Sequence, residues 1–206
     1  MNSQSVIFVV LAYGLWGVST RSPRETVGYG MYLNECAKAL RNLVQCGNNV
    51  TVCLCGGAEW EGTTEAETLL TYFKQNLDAF DQIVFRLEDR SLTTPANIWQ
   101  AYGKIEDELK WPDVKERRMI FVCDKAREIK VRWIVKLWRN LARRDMDYSG
   151  WNARRVILSW PEPEVVAFDR PDVTWKSTWL VQFIDLMAMM FVPRYLKRQI
   201  NKLREE

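Results

Sequence analysis

The chain contains no histidine. That absence excludes a His-based catalytic triad, a His general base and most histidine-containing zinc sites. Acid–base chemistry, where present, falls to carboxylates, Lys, Tyr or Cys. Paired cysteines are missing as well: Cys36, Cys46, Cys53, Cys55 and Cys123 are odd in number and form no C-x-x-C motif. Cys53, Cys55 and Cys123 lie in apolar runs, where Cys behaves as a small buried hydrophobe. They are read as structural thiols of a reducing cytosol rather than as metal or redox groups. No hydrophobic run is long enough to cross a bilayer as a helix, which takes about 20 residues. Val6 to Val18 has the look of a signal-peptide core, yet no Lys or Arg precedes it and no small-residue cleavage site follows. Leu180 to Val192 is equally short and contains Gln182 and Asp185. A cytoplasmic location is expected. A large excess of one charge is also lacking: the net +3 is too small to imply a nucleic-acid partner.

What the chain does have is a core. Of its 206 residues 48% are hydrophobic and 27% charged, enough for one ordinary globular domain. Apolar runs at 5–12, 50–55, 82–87, 118–123 and 154–159 suit buried strands. Amphipathic segments at 29–46, 64–77, 95–110 and 125–144 suit helices between them. Continuous apolar strands are those covered on both faces, as in a parallel sheet. Their alternation with helices predicts a doubly wound, three-layer α/β/α domain. Beyond Trp160, the prolines at 161, 163 and 171 predict a loop, and a helix over 173–204 is expected to close the chain. There is no internal repeat, low-complexity segment or linker, so 161–206 is read as an extension packed on a single domain.

The start of the 125–144 helix carries the strongest site signal. Lys125, Arg132, Lys136, Arg139 and Arg143 fall on one helical face; Ile134, Leu137, Trp138 and Leu141 fall on the other. Arg127 and Lys130 break the pattern by pointing with the apolar residues. A buried mid-helix cation is costly. In the first turn after a strand, however, the inward direction looks over the carboxyl edge of the sheet, where open α/β folds bind ligands. Helix N-termini there favour anions.

Three other strand-to-helix junctions share that edge. Ala12-Tyr-Gly14-Leu-Trp-Gly17 has spaced glycines without the full dinucleotide fingerprint. Cys55-Gly56-Gly57-Ala58 leads to Thr64-Glu65-Ala66-Glu67, a capping box. Glu88-Asp-Arg-Ser91 leads to Thr94-Pro95, an N-cap followed by a first-turn proline, and then to Asn97. Gly56 and Gly57 suit a tight turn as well as close ligand approach. Glu65 suits a helix dipole as well as a catalytic carboxylate. Ser91 and Thr94 suit caps, and Arg127 with Lys130 suits ion pairs to Glu88 or Glu65.

Taken in order, these junctions resemble the YdcF/SanA/ElyC-like family, a Rossmann-like group of unknown function. Gly56-Gly57 and Thr64-Glu65-Ala66 match its Gly-Gly turn and Ser/Thr-Glu-Ala. Glu88, Ser91, Thr94 and Asn97 match its E-x-x-S-x-x-T-x-E-N segment at identical spacing, with Ala96 in place of the second Glu. Its V-T-S-x-x-H-x-x-R stretch appears as Val122 to Lys130, beginning Val-Cys-Asp124, with Arg127 for the His and Lys130 for the Arg. By a looser alignment, Cys36 stands where an early-helix Arg is usual. The matches span roughly residues 5–135.

The resemblance implies a Rossmann-like domain that binds a nucleotide-type ligand, S-adenosylmethionine among them, and links other members to cell-envelope biogenesis. The residues themselves predict a small anionic metabolite held by Arg127, Lys130 and the helix N-termini. Gly14, the Gly56 and Gly57 amides, Thr64, Ser91, Thr94, Asn97 and Asp124 would complete the site. Glu65 and Glu88 would serve as general acid or base, or as ligands for Mg²⁺. A binding or regulatory module without catalysis is the alternative, favoured by the missing His and by Ala96. Arg194, Lys197, Arg198, Lys202 and Arg204 suit a helix end or a peripheral contact with an acidic membrane. Ten tryptophans, with Trp151, Trp160, Trp175 and Trp179 clustered late, suit core packing.

Overall fold

A computed structural model describes residues 4–12, 23–105, 117–143 and 161–170. Gly14, the strand expected over 154–159, the C-terminal helix with its basic end, and the four late tryptophans lie outside the described residues. Strands β1 (Ser5–Leu11), β2 (Asn49–Cys55), β5 (Ile83–Glu88), β6 (Arg117–Asp124) and β7 (Glu164–Phe168) form one sheet in the order β5-β2-β1-β6-β7. Every neighbouring pair in it is parallel. A two-stranded hairpin, β3 (Glu59–Trp60) and β4 (Thr63–Thr64), stands apart after β2.

The helices are α1 (Pro23–Gln45), α2 (Glu65–Asn76), α3 (Thr94–Lys104) and α4 (Glu128–Arg143). α1 packs with α2, and α3 with α4, so the sheet is covered on both faces. The Tyr72 hydroxyl donates to Asn34 Oδ1 (2.7 Å) across the first pair. Across the second, the Trp99 and Trp138 rings lie 4.4 Å apart and Trp138 Nε1 donates to the Pro95 carbonyl (3.3 Å). This is the doubly wound, Rossmann-like α/β architecture expected.

β1 is central, and its whole sequence Ser-Val-Ile-Phe-Val-Val-Leu is buried. The chain winds outward from it through β2 to β5, then crosses back to β6 and on to β7. The direction of winding therefore reverses between β1 and β6. At that switch point neighbouring loops leave in opposite directions and open a crevice at the carboxyl edge.

Several boundaries depart from expectation. α1 begins at Pro23 rather than 29; a first-turn proline suits a helix start because its missing N–H has no partner to lose there. α3 ends at Lys104, just past Gly103, instead of reaching 110. Before α4 comes a 3₁₀ turn, Lys125–Arg127, capped by Asp124. The loop expected around the late prolines contains β7. Pro161 and Pro163 precede the strand and Pro171 follows it, so none interrupts its ladder. Among the described residues no helix is long and apolar enough to cross a membrane.

Candidate functional site

Two groups of residues meet at the carboxyl edge, and they do different work. The first is a hydrogen-bonded knot made from the loops after β2 and β5. The Gly56 amide donates to the Glu88 carbonyl and the Gly57 amide to the Ser91 carbonyl, each at 2.9 Å. The Ala66 amide returns to Gly56 O and the Glu65 amide to Ala58 O, also at 2.9 Å. Glu88 Oε1 accepts from Arg90 N (3.2 Å), Ser91 N (3.1 Å) and Ser91 Oγ (3.0 Å). With its amide nitrogen turned to these acceptors, Asn97 donates to Glu88 Oε2 (3.0 Å) and Ser91 O (2.9 Å). Glu88, Ser91 and Asn97 are all buried. Burial pushes the Glu88 carboxyl above its ordinary value, while the Arg90 and Ser91 donors pull it back.

These contacts give several of the predicted site residues a role within the fold. The Gly56 and Gly57 amides are already taken by carbonyls, so they are not spare ligand donors in this conformation. Their missing side chains serve loop packing. A Cβ on Gly57 would sit 2.5 Å from Arg90 C, and one on Gly56 2.6 Å from Glu65 Cβ and 2.7 Å from Ala12 Cβ. Glu88 spends one oxygen on its own loop and the other on Asn97 of α3. Thr64 is likewise occupied: its amide and hydroxyl donate to Glu67 Oε2 (2.7 and 3.0 Å), and its Oγ1 accepts from Glu67 N (3.3 Å). That is the capping box read from sequence. The cap of α3, by contrast, is Thr93 and not Thr94. Thr93 is extended (φ −136°, ψ 147°) and accepts from Ala96 N at 3.4 Å. Thr94 becomes the first helical residue and Pro95 the second.

The second group surrounds the end of β6. Asp124 is buried; its Oδ1 accepts from the Arg127 amide (3.0 Å), and its Oδ2 pairs with Arg170 Nη1 (3.5 Å). Arg170 follows β7 and is itself 11% exposed, with its guanidinium 5.8 Å from the Tyr29 ring centroid. Tyr29 stacks on Tyr32 (6.1 Å). The Tyr32 hydroxyl lies 3.3 Å from the Leu11 carbonyl and 3.2 Å from that of Val122, donating between them. It therefore clasps the ends of β1 and β6 at the switch point. Arg127 and Lys130 are half-buried within the next turn, above a helix face whose Val131, Ile134 and Trp138 are buried. Lys125 turns outward to Asp169 (3.3 Å), an exposed pair of little energetic weight.

Glu65 is half-buried and lies against Gly56 and Ala12, at the ends of β2 and β1. No group of three or more Cys, Asp or Glu residues gathered to hold a metal occurs among the described residues. Cys36, Cys53, Cys55 and Cys123 are buried and reduced. Burial raises Cys36, Cys55 and Cys123 above the ordinary thiol range, Cys123 to about 12, which keeps these thiols protonated and unreactive.

Arg170, Tyr29 and Tyr32 had no place in the site read from sequence. The signal for Arg170 was present in Val-Val-Ala-Phe168-Asp-Arg170, an apolar run followed by a cation. It was hidden by treating the prolines around it as evidence of a loop. Tyr29 and Tyr32 lie among the apolar positions of α1, and nothing local separates a clasp from packing. Comparison with known protein families, characterised proteins and solved structures finds no match to this chain.

Proposed function

We propose that this protein binds a small anionic ligand, phosphorylated or nucleotide-type, where β1 and β6 diverge at the carboxyl edge. The observation that carries this reading is that Arg127, Lys130 and Arg170 lie in the turns that follow β6 and β7, where Asp124 caps the Arg127 turn through its backbone amide and pairs with the Arg170 guanidinium. Cations half-buried at a topological switch point, beside the start of a helix, suit a phosphate or carboxylate. Asp124 acts as a positioning residue. The likeness to the YdcF/SanA/ElyC-like family favours a nucleotide-type ligand and a link to the cell envelope; S-adenosylmethionine, which is net cationic, would meet these cations only through its carboxylate.

Binding without catalysis is the better supported form of this function. Glu88, one of two carboxylates expected to act as acid or base, has one oxygen engaged by its own loop and the other by Asn97 of α3. Glu65 is then the remaining candidate for proton transfer or for Mg²⁺. Titration calorimetry with S-adenosylmethionine and with a nucleoside monophosphate tests the reading. Binding of either should weaken by about tenfold or more in Arg127→Ala, as expected for a charge-assisted hydrogen bond. Glu65→Gln should leave that affinity nearly unchanged. Equal affinity in wild type and Arg127→Ala would refute the assignment, and turnover abolished by Glu65→Gln would convert the binder into an enzyme.

A further inference from the structure

A second basic site lies on the far side of α4, toward the amino end of β7. A cavity of about 430 Å³ opens there between the outer face of the helix and the strand. Arg132, Lys136, Arg139 and Arg143 line it from successive turns, with the Asn140 amide beside them. Val135 and Val165, both buried, form an apolar floor, and Glu162 is the single carboxylate in the lining. Arg132 is fixed in place: its guanidinium donates to Glu128 Oε1 and to the Val165 carbonyl, each at 2.8 Å. Arg139 is half-buried, and its charge reaches the buried Tyr102 hydroxyl, which has no hydrogen-bond partner among the described residues.

Cations near a helix C-terminus complement the dipole, which accounts for Arg143 in the last turn. It does not account for Arg132 and Lys136, two to three turns earlier, nor for the concave wall that β7 supplies. Arg132 is already paired with Glu128, which leaves Lys136, Arg139 and Arg143 against Glu162 in the lining; this positive excess, over an apolar floor and in a volume of small-molecule size, matches a compact ligand with several negative charges. We infer that this groove is a binding site for an oligophosphate-bearing small molecule, separate from the carboxyl-edge crevice. Lys136 and Arg143 contact the phosphates, Arg132 forms a rigid wall, and Val135 with Val165 takes the organic part.

The test is titration calorimetry of the full chain with sodium tripolyphosphate, and with ATP in parallel, at low salt. The variants are Lys136→Gln with Arg143→Gln as a double substitution, and Arg127→Ala. Both residues changed in the double variant are exposed, and unchanged circular dichroism would confirm its fold. Tripolyphosphate binding should weaken by roughly tenfold or more in the double variant, and the binding component that the double variant removes should persist in Arg127→Ala. ATP binding more tightly than tripolyphosphate would add a role for the floor; equal affinity would assign recognition to the phosphates alone. No binding, or wild-type affinity in the double variant, would overturn the inference. Loss in Arg127→Ala instead would move the phosphates to the other site. Tighter binding of a single-stranded RNA oligonucleotide through the same residues would replace the small ligand by a nucleic acid.

Discussion

Glu88 accepts from Arg90, Ser91 and Asn97 on its two oxygens, so removing it leaves several buried donors without acceptors. Unsatisfied buried donors cost about 1–3 kcal/mol each before relaxation. Glu88→Ala should therefore lose about 2–4 kcal/mol of unfolding free energy in urea at neutral pH. A loss within the noise of a surface substitution would remove the knot from the account. Its titration adds a sign. Burial raises the folded-state pKa of Glu88, so the folded protein holds this proton more tightly than the unfolded chain. The resulting stabilisation is fully present below the unfolded value of about 4.3 and is lost as pH rises through the folded one. The advantage of wild type over Glu88→Gln should shrink from pH 4 to pH 7. An advantage that grows over that range would show the carboxylate, not the acid, to be the form the fold prefers. The residues of this knot were legible in the sequence by type and spacing, but their occupation was not. Spacing places Glu88, Ser91 and Asn97 near one another; only the path of the loops shows that they face each other instead of the crevice.

At the scale of elements, local signals worked where they were short-range. Thr64 and Glu67 are three residues apart and cap α2 through contacts that depend on nothing distant. Thr64→Ala should lower stability by about 1 kcal/mol in chemical unfolding and leave ligand affinity untouched. Lost affinity at full stability would give the hydroxyl a binding role after all. The amphipathic face of α4 was equally readable, and Val131, Ile134, Val135 and Trp138 are buried as its period requires. β7 was not readable, since a parallel strand at the edge of the described sheet is specified by its neighbour. It pairs with β6 from Ile120 to Asp124, and a two-pronged Arg118–Glu164 contact (2.9 and 3.0 Å) ties the strands together. Missing that strand meant missing Arg170, because only the ladder carries this cation to the end of β6.

For the whole molecule, the strand order β5-β2-β1-β6-β7 turns separate junctions into one edge. Alternating apolar runs and amphipathic segments were enough to predict that edge, because the handedness of parallel crossovers leaves few topologies to consider. The same topology divides the edge. The loops after β2 and β5 bind each other, while the ends of β6 and β7 carry Asp124, Arg127 and Arg170 toward the switch point, where Tyr32 of α1 clasps β1 to β6. That division is the central claim: the first half holds the fold, and the second is proposed to hold an anion. Native mass spectrometry of freshly purified, undialysed protein tests it most directly, with Arg127→Ala and Glu88→Gln measured alongside. The account predicts a retained anionic small molecule on wild type and on folded Glu88→Gln, and none on Arg127→Ala. A ligand kept by Arg127→Ala but lost from folded Glu88→Gln would reverse the two halves and contradict it.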